Sequence, residues 1–482
     1  DCVVYINNAR WIMHTKRPFF NPHHLHFEIT SVKFHELIKK HMGKYGFTNI
    51  VFNLRLRSLL IAATGIFALT LLLLKLTGNY FLAILGIILA GFSHGYLYNA
   101  AKVDTGIFPL AWLSVSLLLF YELTTKKHKL KLYLTSLFLG ISFFIGIMFH
   151  QYYMIFVIAV LSTFFIPDFI FKIKLFKKSF EIKTKEKSAS LFSKSIKERI
   201  KSFLIISVIT AILTAGAYFW VGAVYYKLPL KKNHRAKKAS IWQYLTFQQW
   251  IFAYQSFQSK EWGQGIKQFN PRYIFHGLTD AFLSRKNLVK YKKGKKFIYN
   301  LKKPYSLKHV GHNSLALFLL IFIAFILLFS VSAFKRYKYV FVAVFLSFIM
   351  FTVLSIYWEP FYFEFWLIPC KLMIILFIMY AHILGEKLKP LFLKFSHIPV
   401  YLVLVFFTFT FTLHNFKYHL IPHAFNLAVE GVGKMEAKKY TVYFRLPFYK
   451  YPYDPYRFFK LKRIKKRKFN DFLYQQVNAR RR

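Results

Sequence analysis

Apolar residues in this chain do not alternate with polar ones over short distances; they come in long blocks separated by charged turns. Blocks long enough to cross a hydrocarbon core of about 30 Å fall near residues 58–76, 80–99, 106–121, 132–149, 152–171, 203–224, 314–331, 339–357, 365–384 and 398–413. Few charges interrupt them, so the pattern predicts an all-α polytopic membrane protein with about ten visible spans. Ahead of the first block, residues 31–42 place Phe34, Leu37, Ile38 and Met42 at helical spacing, with Lys33, Lys39 and Lys40 elsewhere and Gly43 as a stop signal. That spacing predicts a short amphipathic helix lying on the membrane surface.

The blocks divide the chain into a first loop with its interfacial helix (1–57), an N-terminal bundle (58–224) and a long loop (225–313). C-terminal spans (314–413) and a basic, aromatic tail (414–482) follow. Lysine and arginine stay preferentially in the cytoplasm when loops are short. Lys126, Lys127, Lys129 and Lys131 share one turn, Lys335, Arg336 and Lys338 a second, and Lys387, Lys389 and Lys394 a third. With the basic stretch 172–201 they fall on one side of the alternation, which is predicted to be cytoplasmic. The opposite turns, 100–105, 150–151 and 358–364, carry one basic residue, Lys102. Segments longer than roughly 60 residues escape this rule, so the lysine-rich loop 225–313 and the tail, with its basic run from Lys460 to Lys468, are outer by counting alone.

Composition narrows the class. A hydrophobic share of 56% and a mean hydropathy of +0.36 exceed the range of ordinary soluble domains. A net charge of +51, from 69 Lys and Arg against 18 Asp and Glu, would point to nucleic acid in a soluble chain. Here the charges flank apolar spans, so membrane lipids with anionic headgroups and phosphate-bearing lipid substrates are the expected partners, and nucleic acid is not. Cys2 and Cys370 are the only cysteines, and Cys370 lies inside an apolar block; no disulfide framework or thiolate metal site can be built from them. The chain opens on Asp rather than Met, and one further apolar span is expected upstream of it.

Against so few acids, the positions of the ionisable side chains carry information. The topology puts Asp1, Glu28, Asp104, Glu359 and Glu364, with His23, His24 and His150, at the outer rim of the membrane. Ionisable groups at that depth are costly and imply function by default. Each has a plainer alternative: Asp104 can cap the following helix, His150 and Gln151 can be a polar turn, and His23 and His24 can pack at the interface. Glu359, in the turn Trp358-Glu359-Pro360, has no nearby cation in sequence except Lys371, which either snorkels outward or meets a phosphate. In the long loop, Trp242, Tyr244, Phe247, Trp250, Ile251, Tyr254 and Phe257 recur near helical spacing and suggest an interfacial aromatic helix, an anchor more than a groove. Arg272, after Asn270-Pro271, is placed to grip a phosphate bidentately.

Four features make the chain resemble the GT-C class of integral-membrane glycosyltransferases, in particular bacterial members akin to protein O-mannosyltransferases. They are the first loop with its acidic residue and Asn21-Pro22-His23-His24-Leu25; the helix end Gly91-Phe92-Ser93-His94-Gly95-Tyr96-Leu97-Tyr98 leading to Asp104 and Phe108-Pro109-Leu110; Gly140-Ile141-Ser142-Phe143-Phe144 leading to His150-Gln151; and Trp358-Glu359-Pro360 with Glu364-Phe365-Trp366. The likeness spans residues 1–384. It implies a bundle of many helices with a catalytic first outer loop. It also implies transfer of a sugar, usually with inversion, from a polyprenyl-phosphate donor to an extracytoplasmic lipid, glycan or protein acceptor, in the bacterial plasma (inner) membrane. The acidic residue of the first loop, here Asp1, is then the general base that takes the acceptor's proton. His23, His24, Glu28, Asp104, His150, Gln151, Arg272, Glu359 and Lys371 are the candidate substrate contacts. A divalent cation, magnesium or manganese, is a candidate cofactor, with Asp1, Asp104 and His23 as its candidate ligands.

Three other readings compete, one of them a structural membrane-interaction protein, in which nothing requires the polar residues to converge. A polysaccharide polymerase or ligase also combines many helices with a large outer loop, and its key residues would be arginines and histidines of residues 225–313. A lipid-linked-sugar flippase or transporter would show internal repeats and polar residues at mid-membrane; no clear repeat is visible, and the polar groups cluster at one rim.

Overall fold

The computed structural model describes residues 2–15, 25–45, 48–103, 105–167, 195–225, 272–283, 289–293, 296–300, 310–358, 363–392 and 397–416, with the single positions Phe169, Phe192, Leu230 and Ile241. These divide into two compact units. In the smaller lie α1 (Cys2–Thr15) and all but the first turn of α2 (Leu25–Met42). Helix α1 has no counterpart in the apolar pattern. Helix α2 includes the predicted interfacial segment but begins six residues earlier, with Glu28 in its first turn and Lys39, Lys40 and His41 in its last, as the helix dipole favours. His35 on α2 is buried, and its Nδ1 lies 2.9 Å from Asn53 Nδ2.

The larger unit is a helical bundle. Helix α3 (Ile50–Thr77) is 28 residues long and ends where Gly78, at φ +63, adopts the left-handed conformation that glycine tolerates without strain. Asn79 restarts the chain: its side chain accepts from Leu82 N at 3.0 Å and caps α4 (Tyr80–Gly91). The apolar block 80–99 is not one straight span. It breaks at Phe92 and Ser93 into α4 and α5 (His94–Ala100), bent by 66°. Ser93 Oγ donates to Ala90 O at 2.7 Å, competing with the helical ladder at the break.

Helices α6 (Ile107–Thr125), α7 (Lys129–Phe149), α8 (Tyr153–Ser162) and α9 (Ile196–Phe219) follow, α7 packing against both α6 and α9. Small residues let these backbones approach and hydroxyls join them. A Cβ on Gly140 would lie 3.1 Å from Ile206 O, and Thr210 Oγ1 donates to Gly140 O at 3.1 Å. Ser116 Oγ meets Ser142 Oγ and accepts from Tyr153 Oη, each at 2.7 Å. Helix α8 covers only the first part of the block 152–171; a turn at 163–165 ends it, with Thr163 Oγ1 donating to Val160 O.

Beyond α10 (Arg272–Phe282), the residues predicted as a long loop contain an antiparallel hairpin, β1 (Val289–Lys293) and β2 (Lys296–Asn300), with Val289 opposite Asn300. It is the only sheet among the described residues. The predicted aromatic helix at 242–257 lies outside them. Helix α11 (Val310–Trp358) breaks at Lys338, where φ is 35° and ψ −99°. Phe322 and Phe348, which a straight helix would hold about 39 Å apart, have ring centroids 5.8 Å apart, so the helix folds back there. This matches the two blocks 314–331 and 339–357 expected from the Lys335-Arg336-Lys338 turn.

Among the described residues, 7 helices are long and apolar enough to cross a membrane, or 8 if the bent pair α4–α5 is one span, with the folded-back α11 counted once. Most are only partly buried. Helix α12 (Leu367–Phe392) is different: 94% of its apolar window is buried, against 28% for α9 and α11. It packs against α4, α6, α10 and α11. Helix α13 (Ile398–Asn415) lies against α4 and α11, and Phe318, Phe377, Phe407 and Phe411 interlock at centroid distances of 4.5 to 6.3 Å.

Candidate active site

One end of the larger unit gathers the turn after α5, the turn between α7 and α8, helix α10, and the 3₁₀ turn Phe363–Trp366 that leads into α12. Glycines allow the approach. A Cβ at Gly277 would lie 2.0 Å from Trp366 Cε2, and one at Gly95 would lie 2.1 Å from Leu367 Cδ2. Asn415 Nδ2 ties the same end together, donating to Phe92 O and Phe282 O at 2.7 Å each. Ser355 Oγ donates to Phe365 O at 2.7 Å.

Two charged groups of this rim meet. Lys102 Nζ lies 3.7 Å from Glu364 Oε1 and 4.6 Å above the Tyr98 ring. Both side chains are mostly covered, at 23% and 15% exposure, so the pair is less screened than a surface ion pair. His150 caps α7; its Nδ1 accepts from Tyr152 N at 3.3 Å, and its ring lies 4.0 Å from that of Tyr152. Tyr152 in turn contacts Phe365 at 6.3 Å and Phe351 at 5.8 Å. Gln151 is buried, donating from Nε2 to Tyr218 Oη at 2.6 Å, and so joins α9 to the turn.

Beneath the rim lie two buried basic side chains. Lys371 is 3% exposed; its Nζ donates to Leu110 O at 2.8 Å and lies 5.5 Å from the Tyr96 ring centroid. It points into the bundle rather than out toward water. Arg57 is also buried. Its Nη1 donates to Phe27 O at 3.1 Å, and its guanidinium lies 5.0 Å from the Phe27 ring and 4.4 Å from the Phe108 ring, with Phe149 4.8 Å beyond Phe108. Sequence reasoning missed Arg57, whose one signal is its place immediately before the apolar run from Ser58. It also missed Asn99, wholly buried, which donates to Gly95 O at 2.8 Å. Its Oδ1 has no hydrogen-bond partner among the described residues. Gly106 makes room for that amide, since a Cβ there would lie 2.9 Å from Oδ1.

Of the residues singled out from sequence, His150, Gln151 and Lys371 are therefore placed at or beneath this rim, joined by Glu364 and Lys102. Arg272 opens α10, and its side chain is outside the described residues. Asp1, His23, His24, Asp104 and Glu359 are outside them too, and with Asp1, Asp104 and His23 goes the whole candidate ligand set for magnesium or manganese. Glu28 belongs to the smaller unit; it is fully buried, and its Oε1 accepts from Asn8 Nδ2 at 3.3 Å.

No family profile matches the chain, and no curated protein is significantly similar to it in sequence. Its fold is similar to that in the crystal structure of ArnT from Cupriavidus metallidurans bound to undecaprenyl phosphate. The TM-score is 0.51 at 8% identity, over 85% of this chain and 70% of that one. The protein is thus a nearly all-helical integral membrane protein with a GT-C-like fold, as in that structure.

Proposed function

We propose that this protein is a GT-C-type glycosyltransferase that moves a sugar from a polyprenyl-phosphate donor to an extracytoplasmic acceptor. A shared fold alone does not specify an activity. The observation that carries the reading is the pair of buried basic side chains, Lys371 and Arg57, beneath a rim bearing Lys102, Glu364 and His150, on a fold shared with a protein that binds undecaprenyl phosphate. Cations at membrane depth suit a substrate whose phosphate sits at the boundary between headgroup and hydrocarbon.

In this reading a carboxylate of the first loop, Asp1, takes the proton of the acceptor hydroxyl as its oxygen bonds to the anomeric carbon. The bond from that carbon to the phosphate oxygen breaks, and the lipid phosphate leaves with the electron pair. Lys102 and Arg272 meet the phosphate at the rim, and the field of Lys371 and Arg57 below favours the charge that develops on it. The transfer inverts the anomeric centre because attack and departure occur on opposite faces.

The test is a transfer assay in proteoliposomes with labelled polyprenyl-phosphate sugars. Asp1→Asn should lower turnover by at least about a hundredfold, in the range of a lost general base. Lys371→Met should lower it about tenfold or more without lowering thermal stability, since an apolar residue of similar volume often replaces a buried charge at no cost. Transfer that survives Asp1→Asn unchanged would refute the base assignment, and the absence of transfer from every polyprenyl-phosphate sugar tried would refute the reading as a whole.

A further inference from the structure

Far from the rim, the other end of α12 carries a cluster that sugar transfer does not use. His382 and Glu386 are four residues apart and so share one face of the helix. His397, the residue before α13, is brought onto that face. Nitrogen atoms of His382 and His397 and a carboxylate oxygen of Glu386 all lie within 4.8 Å of one another. The His382 and His397 rings are near-parallel, 6.2 Å apart at 28°. Gly385 is the residue that permits this, because a Cβ there would lie 2.2 Å from His397 Cδ2 and 2.6 Å from its Nε2. Helical rise places Glu386 roughly 22 Å from Lys371 along the axis, so this is a separate centre.

We infer that His382, Glu386 and His397 form a binding site for a divalent transition-metal ion of the zinc class. Two imidazoles and one carboxylate are a borderline donor set, which favours zinc and its neighbours over magnesium or calcium. A four-coordinate zinc with bonds of about 2.0–2.1 Å holds its donor atoms roughly 3.3 Å apart. Rotation of the side chains by an ångström or so of travel closes the present spacing, and three protein ligands leave one position open. A supporting shell is already built. Tyr337 Oη lies 2.7 Å from His382 Nδ1, which fixes the ring and leaves Nε2 facing Glu386 Oε1 at 3.9 Å. A metal-bound histidine commonly engages such a partner through its other nitrogen. Two cations share the carboxylate: Lys389 Nζ at 3.2 Å and Arg336 Nη1 at 3.7 Å. The Lys389 side chain is 58% exposed, so a metal ion displaces it into water at small cost. Joined this way, the ion would pin the start of α13 to the end of α12.

The experiment uses the full chain, purified in detergent without a histidine tag, with zinc and cobalt(II) as probes. Equilibrium dialysis should show one tightly held zinc per chain. His382→Ala, His397→Ala and Glu386→Gln should each weaken it by at least tenfold, whereas Tyr337→Phe should weaken it by about tenfold and keep the stoichiometry. Cobalt(II) bound to the wild-type chain should give the intense visible bands of a low-symmetry, four-coordinate ion, a readout that does not depend on any variant folding. Zinc binding of equal tightness in wild type and in all three ligand variants, or a cobalt spectrum like that of the hydrated ion, would overturn the assignment. Neither outcome bears on sugar transfer, which is measured separately.

Discussion

At the scale of single residues, two positions expose how closely the packing is set. Gly277 lies against the Trp366 indole, and a Cβ there would lie 2.0 Å from its ring. Trp366 is fully buried and cannot give way. Gly277→Ala should therefore destabilise the bundle by about 1–3 kcal/mol, the usual cost of overpacking, seen as an earlier thermal transition in detergent. His35 makes a prediction about pH. Burial, and secondarily the Lys39 ammonium, lower its pKa from 6.5, outweighing the Glu36 carboxylate. The fold thus prefers neutral His35, which can accept from Asn53 Nδ2. Its contribution is complete above 6.5, the unfolded value, and is lost as pH falls from there toward the lowered folded value. Amide exchange in α2 should accelerate across that window in the wild type and much less in His35→Gln.

At the scale of elements, Lys338 sits at φ 35° with ψ −99°, a conformation that strains any residue with a Cβ. Lys338→Gly should raise stability by about 1 kcal/mol, and Lys338→Val should lower it, in matched denaturation series. The fold-back itself was legible, because charge interrupts the apolar run at Lys335, Arg336 and Lys338. The bend between α4 and α5 was not. Both halves of 80–99 are apolar, and hydropathy averages over a window without registering the Ser93 hydroxyl that competes with the helical ladder. Helix α1 was missed for a different reason: its 14 residues, interrupted by Asn7, Asn8 and Arg10, are too short a stretch to read as a spanning block. The same logic separates the site residues. His150 and Gln151 stood out because a polar pair between two apolar runs is conspicuous, whereas Arg57 merged with the end of a polar segment and Asn99 with the end of an apolar one. Their burial is tertiary information.

At the scale of the whole molecule, the arrangement predicts which surfaces meet lipid. Helix α12 should take up almost no label from a photoreactive probe dissolved in the bilayer, while α9, α11 and α13 should be labelled along faces bearing Leu204, Ile212, Leu327, Leu402 and Phe409, all exposed. Strong labelling of Ile374 or Met379, both buried, would contradict the arrangement.

The sheathing of α12 also governs how the protein meets membranes of different thickness. A peripheral helix must tilt, or stretch the lipid around it, when its apolar length and the hydrocarbon differ. A helix whose apolar window is 94% buried is spared that adjustment. Thicker or thinner bilayers should therefore reorient the outer helices first, while Lys371 and the His382 cluster keep their separation along a core that the surrounding solvent does not grip.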